Sequence, residues 1–544
     1  MKIHNNSLLE IKNLSISLPD GGDRSNAVDK FNLEIIENEI LCVVGESGSG
    51  KSMMARSIMG LLPKRLKVTE GEINFEGSLI NHLTPKQYQE IRGQSIAMIF
   101  QEPMTALNPL HSIGKQIDEV MLLHTSLNKT ERHKRTLEML SAVHLPDPKQ
   151  VMQAYPHEIS GGQRQRAMIA MALILEPKIL IADEPTTALD VTTQAQILKL
   201  IRNLQRERQT GVLFITHDFG VVAEIADRIA VMKDGLLVEN NDAQFVLNSP
   251  QHIYTQQLIR SVPNLKTKKS FESSKPVLLK IDHLEKKYQR KRGFLGSSKS
   301  EVLAVNKVQL ELKEGETIGL VGESGSGKST VARCIVKLIS SDGGEILYEK
   351  KDITKMNRKS MMPYRKEIQM VFQDPYGSLN PRLTVGQMVA QGPIIHGEKH
   401  DKAFQKAEKL LELVGLGQQA LNRFPHEFSG GQRQRIGLAR ALALDPKILI
   451  ADEPVSALDV SIQAQVLKLL GEIKQKLNFS MLFITHDLRV AAQVCDKIAV
   501  MYQGKIVEIG YTEKIFEDPQ HEYTTALINS IPGRNWKNPF TYNV

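Results

Sequence analysis

The feature of this 544-residue chain that most restricts its possible folds is a long internal repeat. The stretch VVGESGSGKS at 43–52 returns as LVGESGSGKS at 320–329, and KILIADEP at 178–185 returns unchanged at 447–454. The two copies are 277 residues apart at the first motif and 269 residues apart at the second. A period of this length predicts two whole domains rather than a solenoid of small repeats.

Each half of the chain alternates short apolar runs with longer amphipathic segments. This pattern is typical of an α/β domain with a mainly parallel sheet. A polar, lysine-rich segment separates the halves and has the composition of a linker. We therefore predict one domain over 1–263, a linker over 264–277, a second domain over 278–533 and a C-terminal tail over 534–544.

Cysteine usage and hydropathy exclude several classes of protein. Cys42, Cys334 and Cys495 are isolated in the sequence, so they offer neither a disulfide framework nor a C-x-x-C metal site. The first residues, MKIHNNSLLE, are too polar for a signal peptide. Apolar runs such as AMIAMALIL fall short of the roughly 18 residues that span a bilayer. We expect a chain that does not cross a membrane by itself.

The positive charge of the chain is concentrated in one stretch. Residues 266–299 hold eleven lysine and arginine residues against Glu272, Asp282 and Glu285, which equals the formal charge of +8 of the whole chain. The rest of the chain is neutral in sum. A charge run in a linker is usually solvated, and contact with anionic lipid or nucleotide stays an open alternative.

The repeated GESGSGKS fits the phosphate-binding P-loop pattern G-x-x-x-x-G-K-[ST]. An apolar run precedes each copy and a helix-like segment follows it, which is the strand–loop–helix context that the P-loop needs. The glycines let backbone N–H groups face an anion at a helix N-terminus, the lysine brings a positive charge to the β- and γ-phosphates, and the last serine can ligate Mg²⁺. The predicted phosphate-binding residues are Gly45, Ser47, Gly48, Gly50, Lys51 and Ser52, with Gly322, Ser324, Gly325, Gly327, Lys328, Ser329 and Thr330.

Two carboxylates follow each copy of the apolar run ILIA. Asp183 and Asp452 stand where a P-loop enzyme needs a carboxylate to hold Mg²⁺, directly or through water. Glu184 and Glu453 come one residue later and are placed to orient or deprotonate an attacking water molecule. The sequence therefore predicts a nucleoside triphosphatase.

The ordered set of motifs, P-loop, FQ, SGGQ, ILIADEP, ALD and ITHD, resembles the ATP-binding cassette (ABC) ATPases over nearly the whole chain, in two copies. The resemblance implies tandem P-loop (RecA-like) α/β domains, each with a helical signature subdomain and an antiparallel β subdomain. It also implies that each ATP lies between the P-loop of one cassette and the SGGQ signature of the other. The signature residues are then Ser429, Gly430 and Gly431 for the site of Lys51, and Ser160, Gly161 and Gly162 for the site of Lys328.

The resemblance assigns roles to two further pairs of polar residues. Gln101 and Gln373 correspond to glutamines that contact Mg²⁺ and water and report occupancy to an attached membrane domain. His217 and His486 correspond to switch histidines that contact the γ-phosphate and act in catalysis.

The same resemblance implies contacts at the interface between the cassettes and with adenine. Asp190 and Asp459 correspond to residues that connect the two ATP sites across the interface. Tyr288 is expected to stack on adenine at the second site, whereas Leu18 at the aligned position offers only apolar contact. We therefore expect weaker adenine binding at the first site.

The type of ABC protein follows from what the chain lacks and from its segment ends. It has no zinc-binding cysteine pairs, no long charged helical linker and no membrane spans, so an importer ATPase docked on separate permeases is favoured. PQHIYTQQL and PQHEYTTAL resemble the P-x-H-x-Y-T-x-x-L tail of oligopeptide, dipeptide and nickel importer ATPases. Two cassettes in one chain of this length resemble the Yej-type peptide importers most and the glutathione importers next.

The resemblance implies a peripheral ATPase on the cytoplasmic face of the inner membrane, with ATP and Mg²⁺ as cofactors and both sites catalytically complete. Its expected partners are two separate membrane permease subunits and, through them, an extracytoplasmic solute-binding protein, and its expected solute is a peptide. No nucleic acid is expected as a partner. Two alternatives stay open: the same role in a glutathione or nickel importer, and a soluble twin-cassette ATPase that acts on ribosomes or RNA through the basic stretch.

Overall fold

The computed structural model describes residues 7–19, 21, 24–186, 189–263, 265, 267, 274–292, 298–456 and 458–540. Most of the predicted linker 264–277 and the last four residues of the predicted tail lie outside these residues. The chain forms two compact units, one of Met1–Val262 with Pro532–Val544 and the other of Pro263–Ile531. The predicted domain boundaries stay a prediction.

The first unit contains ten strands and eleven α-helices among its described residues. The strands are β1 (Ser7–Ser17), β2 (Asn26–Ile36), β3 (Ile40–Val44), β4 (Lys67–Phe75), β5 (Ser78–Leu79), β6 (Ile96–Ile99), β7 (Ile179–Asp183), β8 (Gly211–Ile215), β9 (Arg228–Lys233) and β10 (Leu236–Asp242). The helices are α1 (Lys51–Ile58), α2 (Pro85–Ile91), α3 (Pro103–Ala106), α4 (Ile113–His124), α5 (Lys129–Ala142), α6 (Pro148–Gln153), α7 (Gly161–Leu173), α8 (Val191–Arg208), α9 (Phe219–Ile225), α10 (Ala243–Asn248) and α11 (Ile253–Arg260).

Two sheets and a group of helices make up this unit. The central sheet has the order β10-β9-β3-β8-β7-β6, in which all neighbours are parallel except β10 and β9. Strands β3, β7 and β8 are buried at every position, as expected for parallel strands covered on both faces. A second, antiparallel sheet has the order β2-β1-β4-β5. Helices α4, α5, α6 and α7 pack on one another as a separate helical layer.

The second unit repeats this plan among its described residues. Its strands are β11 (Val277–Arg292), β12 (Ser298–Lys313), β13 (Thr317–Val321), β14 (Gly343–Tyr348), β15 (Lys351–Asp352), β16 (Ile368–Val371), β17 (Ile448–Asp452), β18 (Ser480–Thr485), β19 (Lys497–Tyr502) and β20 (Lys505–Tyr511). Its helices are α12 (Lys328–Ile335), α13 (Met362–Glu367), α14 (Pro375–Ser378), α15 (Val385–Ile395), α16 (His400–Leu413), α17 (Gly430–Leu442), α18 (Val460–Leu477), α19 (Leu488–Val494), α20 (Thr512–Glu517) and α21 (Glu522–Asn529).

The sheets of the second unit have the orders β16-β17-β18-β13-β19-β20 and β12-β11-β14-β15. One apolar core is formed by residues of the antiparallel sheet, α12 and the central sheet, and includes Leu284, Val331 and Ile450. Another core joins the helical layer of α15, α16 and α17 to the central sheet and includes Val389 and Leu411. The predicted fold class, an α/β cassette with a helical and an antiparallel β subdomain, is confirmed for each unit.

The cysteines and the apolar helices were both singled out in the sequence. Cys42, Cys334 and Cys495 are all buried. Within the described part of the chain, none of the helices combines the length and the apolar character needed to cross a membrane.

The described end of the chain packs within the first unit. The Asn538 side-chain amide donates to the carbonyl oxygen of Ile259 at 2.8 Å, and Asn538 is buried. The guanidinium of Arg260 lies 4.7 Å from the centre of the Phe540 ring. Residues near the end of α11 therefore hold the last described segment.

Candidate functional site

The loop between β3 and α1 depends on glycines with left-handed backbone angles. Gly50 has a φ of 105°, and a Cβ atom there would lie 2.4 Å from the carbonyl oxygen of Ala27. Gly327 has a φ of 109° in the matching loop of the second unit, and its Cβ would lie 2.2 Å from the carbonyl oxygen of Ala304. Only glycine fits both the backbone angle and the space. The packing of each P-loop against the antiparallel sheet therefore requires glycine at this position.

Replacement of Gly327 by alanine is expected to destabilise the second unit by about 2–4 kcal/mol, because both the backbone angle and the contact with Ala304 become unfavourable. Gly437 is the matched control, since it lies in the interior of α17 and a Cβ atom added there would meet no neighbouring atom within 4 Å. Gly437→Ala should stabilise by about 0.5–1 kcal/mol. Calorimetric unfolding midpoints measure both changes, and equal midpoints for the two variants would contradict this account.

The P-loop lysines are buried and bind carbonyl oxygens of their own loops. Lys51 Nζ donates to the carbonyl oxygens of Gly45 and Glu46, each at 2.8 Å, and to Ser49 Oγ at 3.2 Å. Lys328 Nζ makes the matching bonds at 2.8, 2.7 and 3.5 Å. A buried ammonium group needs hydrogen-bond acceptors, and here the carbonyl oxygens of the P-loop supply them.

A serine of the P-loop and an aspartate of the central sheet lie in contact in both units. Ser52 Oγ donates to Asp183 Oδ1 at 2.9 Å, and Ser329 Oγ donates to Asp452 Oδ1 at 3.0 Å. Burial raises the pKa of both aspartates, although the serine hydroxyls act in the opposite direction. The buried Oδ2 atom of Asp183 has no hydrogen-bond partner. A buried carboxylate oxygen of this kind, beside a hydroxyl, fits the oxygen ligands that Mg²⁺ prefers.

The glutamates that follow these aspartates are each held by a glutamine and a histidine. Gln101 Nε2 donates to Glu184 Oε2 at 3.0 Å, and His217 Nδ1 lies 3.2 Å from Glu184 Oε1. In the second unit, Gln373 Nε2 donates to a carboxylate oxygen of Glu453 at 2.9 Å, and His486 Nδ1 lies 3.2 Å from the same oxygen. The structure thus brings together, in each unit, three side chains that the sequence analysis assigned to one site.

The backbone and the electrostatics of these glutamates are unusual. Glu184 and Glu453 have φ values of 48° and 47°, in the left-handed region where residues other than glycine are uncommon. Burial opposes ionisation of Glu453, but the hydrogen bond and charge of His486, together with the charge of Lys328, outweigh it, so the pKa of Glu453 lies below its ordinary value. Burial likewise opposes the charge of His486, but the Glu453 carboxylate raises the pKa of His486. The pair therefore favours an ionised glutamate.

Each signature motif forms the exposed N-terminus of a 13-residue helix. Ser160 and Ser429 are the N-cap residues of α7 and α17, and each exchanges capping-box hydrogen bonds with the glutamine three positions later. Ser160 and Gly161 are exposed, as are Ser429 and Gly430. Such a helix end presents backbone N–H groups and the positive end of the helix dipole to an anion.

The two ALD aspartates lie at helix starts. Asp190 is the N-cap residue of α8, where its Oδ1 accepts hydrogen bonds from Thr193 N at 2.9 Å and Thr192 Oγ1 at 2.8 Å. Asp459 occupies the N-cap position of α18. Their predicted role between the two ATP sites stays a prediction.

Strand register supports the alignment of Tyr288 with Leu18. Tyr288 pairs with Val302 on β12. In the first unit, the residue at the position of Val302 is Ser25, and its carbonyl oxygen accepts a hydrogen bond from Leu18 N at 2.8 Å. The Tyr288 side chain is 40% exposed, whereas Leu18 packs against the apolar core of the first unit. The ring of Tyr288 is thus available for stacking, and its role with adenine stays a prediction.

One pair of residues near the site was missed by the sequence analysis. The Tyr254 hydroxyl accepts a hydrogen bond from the backbone N–H of Glu46 in the first P-loop at 3.1 Å, and the Tyr523 hydroxyl accepts one from Glu323 at 3.2 Å. The signal was present in the sequence, because both tyrosines belong to the repeated H-x-Y-T of the tails.

Comparison with known proteins agrees with this geometry. The family described as "ABC transporter" matches residues 28–187 and 305–456, and the family "Oligopeptide/dipeptide transporter, C-terminal region" matches residues 238–292 and 507–541. The peptidoglycan transport ATP-binding protein YejF of Agrobacterium fabrum is 45% identical over 96% of this chain and 96% of its own length. The glutathione import ATP-binding protein GsiA of Pectobacterium atrosepticum is 43% identical over 96% of this chain and 89% of its own length.

Among solved structures, the dimeric bacterial ABC transporter cassette MJ0796 is 28% identical and covers 43% of this chain and 99% of its own, with a TM-score of 0.39. The family matches fall once in each half, and the two relatives extend over nearly the whole chain. The predicted resemblance is therefore confirmed. The chain belongs to the ABC transporter ATPases, with two cassettes in one chain and an oligopeptide/dipeptide transporter C-terminal region after each.

Proposed function

We propose that this ABC ATPase powers the import of short peptides and that both of its ATP sites hydrolyse ATP. The observation that carries the proposal is the repetition of one constellation in both units. A buried P-loop lysine, a serine–aspartate contact and a glutamine–glutamate–histidine group occur in each unit with nearly equal distances. Since both units hold the same groups in the same arrangement, we expect two active sites rather than one active and one regulatory site.

The residues present fit a magnesium ion bound with ATP. Ser52, Asp183 and Gln101 would hold it in the first unit, and Ser329, Asp452 and Gln373 in the second. The unpartnered Oδ2 of Asp183 supports this assignment. Bound Mg²⁺ supplies positive charge that neutralises the phosphate oxygens during phosphoryl transfer.

The proposed chemistry at the γ-phosphate uses the glutamate and the histidine. The carboxylate of Glu184 or Glu453 accepts a proton from the attacking water molecule. His217 and His486 contact these carboxylates, and we expect them to contact the γ-phosphate when ATP binds. The P-loop lysine and backbone N–H groups stabilise the negative charge on the phosphate oxygens.

We propose that each site is completed by the signature of the other cassette. Ser429, Gly430 and Gly431 serve the P-loop of Lys51, and Ser160, Gly161 and Gly162 serve that of Lys328. The support lies in the exposed helix N-termini, which offer N–H groups to a phosphate but have no acidic residue in their first turn. Binding of two ATP molecules would close the cassettes on each other, and hydrolysis would reopen them, with Asp190 and Asp459 between the two sites.

Short peptides are the proposed solute because the solutes in the names of both relatives contain a short peptide. YejF is named for peptidoglycan transport and GsiA for glutathione import. Glutathione is a tripeptide, and peptidoglycan carries short peptide stems, so both contain a short peptide backbone. The oligopeptide/dipeptide region after each cassette supports the same class of solute.

The import role implies the partners and the location of the chain. We propose that the two cassettes dock on two separate membrane permease subunits at the cytoplasmic face of the inner membrane. An extracytoplasmic binding protein would deliver the peptide to those permeases. Gln101 and Gln373 are both exposed, which supports a link from the proposed ATP sites to the permeases.

Adenine stacking is expected to differ between the two sites. Tyr288→Leu should raise the KM for ATP about two- to tenfold, because an aromatic contact of this kind contributes about 0.5–1.5 kcal/mol. Leu18→Tyr should lower the KM. Steady-state ATPase assays measure both variants, and an unchanged KM in Tyr288→Leu would exclude the stacking role.

Uptake in cells tests the importer role and the solute together. Cells that lack this protein would be complemented with the wild type or with the Lys51→Ala/Lys328→Ala variant, and uptake of labelled peptides of two to eight residues, glutathione and Ni²⁺ would be measured. We expect peptide uptake to be restored by the wild type alone. Normal peptide uptake with loss of glutathione or Ni²⁺ entry would reassign the solute, and normal uptake of all three would refute the importer role.

A further inference from the structure

The oligopeptide/dipeptide region that follows each cassette (its tail, residues 238–292 or 507–541) contains a tyrosine that contacts the P-loop of its own unit. Tyr254 lies in α11 and is 5% exposed, and its hydroxyl accepts the backbone N–H of Glu46 at 3.1 Å. Tyr523 lies in α21, and its hydroxyl accepts the backbone N–H of Glu323 at 3.2 Å. These tyrosines are 208 and 200 residues from their partners in the sequence, so the contact joins the family-specific tail to the core of the cassette.

The residue that donates its N–H to each tyrosine also binds the P-loop lysine through its carbonyl oxygen. The carbonyl oxygen of Glu46 accepts Lys51 Nζ at 2.8 Å while its N–H donates to Tyr254. In the second unit the carbonyl oxygen of Glu323 accepts Lys328 Nζ at 2.7 Å while its N–H donates to Tyr523. Glu46 and Glu323 are therefore held on one side by the tail and on the other by the lysine.

The tyrosines are themselves fixed by a chain of hydrogen bonds from the edge of the central sheet. Glu239 on β10 accepts the N–H of Gln251 at 2.8 Å and of His252 at 3.1 Å. His252 is the N-cap residue of α11, and its Nδ1 accepts the N–H of Tyr254 at 3.2 Å. The ammonium group of Lys233 lies 5.0 Å from the centre of the Tyr254 ring. These contacts hold the hydroxyl against the P-loop.

The second unit repeats this support. Glu508 on β20 accepts the N–H of Gln520 at 2.8 Å and of His521 at 3.0 Å, and His521 Nδ1 accepts the N–H of Tyr523 at 3.1 Å. The Tyr502 and Tyr523 rings are 4.1 Å apart, where the first unit has a lysine over the tyrosine. The same glutamate, histidine and tyrosine bonds therefore hold the tyrosine in both units.

We propose that Tyr254 and Tyr523 are positioning residues that hold the P-loop in the conformation that binds ATP. Each tyrosine fixes the backbone of Glu46 or Glu323, and the carbonyl oxygen of that residue in turn holds the ammonium group of Lys51 or Lys328. This gives the oligopeptide/dipeptide tail a role in nucleotide affinity in addition to covering the core. The proposal rests on ATP binding at the P-loops and does not depend on the imported solute.

The test uses the full chain with Tyr254→Phe, Tyr523→Phe and the double variant, which remove the hydroxyl groups and keep the rings. We expect the KM for ATP of the double variant to rise about three- to tenfold with kcat within about twofold of the wild type, as for the loss of one hydrogen bond per site. Tyr348→Phe is the matched control, because it removes the hydrogen bond of a buried tyrosine hydroxyl to Glu367. That variant should lower the unfolding midpoint and leave the KM unchanged.

Hydrogen exchange of the P-loop amides tests the same contact and does not require ATP turnover. In Tyr254→Phe, amides of the P-loop at 45–51 should exchange faster, while those of 322–328 stay as in the wild type, and Tyr523→Phe should give the reverse. A wild-type KM in the double variant, or unchanged exchange in both P-loops, would overturn the proposal. An inactive wild-type chain would refute the proposed function instead, and the exchange experiment would still decide this proposal.

Discussion

Replacement of both Glu184 and Glu453 by glutamine is expected to reduce ATP turnover by about 100- to 10,000-fold, the usual contribution of a general base. Glutamine keeps the shape of the side chain, so the hydrogen bonds from Gln101 and Gln373 can persist. It cannot take a proton from water, however. The variant should therefore still bind ATP and stay closed around it. Steady-state phosphate release and retention of labelled ATP measure the two effects.

A matched control comes from two exposed glutamates at equivalent places in the two units. Glu76 pairs with Lys178 at 2.6 Å, and Glu349 pairs with Lys447 at 2.8 Å. Their replacement by glutamine should leave turnover unchanged, since exposed ion pairs contribute only about 0–1 kcal/mol to stability. Wild-type turnover in Glu184→Gln and in Glu453→Gln would rule out these carboxylates as bases.

The second large effect is expected for the P-loop lysines. In Lys51→Ala/Lys328→Ala, turnover should fall by about 100- to 1,000-fold, because the positive charge beside the phosphate oxygens is lost. ATP affinity should fall as well, which distinguishes these variants from the glutamine variants. The carbonyl oxygens of Gly45 and Glu46 also lose a buried partner, so the loop is expected to loosen.

The controls for this prediction are Lys178→Ala and Lys447→Ala, which remove exposed lysines of the two ion pairs just described. Both should bind and hydrolyse ATP normally. Isothermal titration with a non-hydrolysable ATP analogue separates binding from turnover. Unchanged affinity in Lys51→Ala/Lys328→Ala would show that the lysines do not contact the nucleotide.

Much of the fold and of the site geometry follows from the sequence, because the P-loop pattern and the buried strands restrict the topology. Ser52 comes directly after the P-loop lysine, and Asp183 ends the buried run ILIAD. Strands β3 and β7 lie on either side of β8 in a parallel arrangement, so their carboxyl ends share one edge of the sheet. The serine and the aspartate therefore meet there, as the predicted magnesium site requires.

The contact between Tyr254 and Glu46 could not be predicted in the same way. Its donor is a backbone N–H, which nearly every residue has, so no side-chain pattern marks Glu46 as a partner. The H-x-Y-T repeat indicates a helix start, because His252 caps α11, but it does not show which loop the hydroxyl reaches. That depends on how Glu239 on β10 holds the residues at the start of α11, and the contact spans a sequence separation of 208 residues.

Similarly, sequence position alone does not give the backbone angle of the two glutamates that are predicted to act as bases. Glu184 and Glu453 stand one residue beyond a buried strand, where an extended backbone would be the ordinary expectation. Their positive φ values turn the chain at that point. The side chain can then receive both a glutamine and a histidine from neighbouring strand ends, which a straight continuation of the strand would not allow.

The most direct test of the composite ATP sites combines one P-loop variant with each signature variant and measures the ATP retained by the chain. Glu184→Gln/Glu453→Gln serves as the background, so that bound ATP is not consumed. If each signature serves the opposite P-loop, Lys51→Ala with Ser429→Arg damages one site and leaves about one ATP per chain, whereas Lys51→Ala with Ser160→Arg damages both sites and leaves none. The reverse result would show that each signature serves its own cassette and would contradict the account.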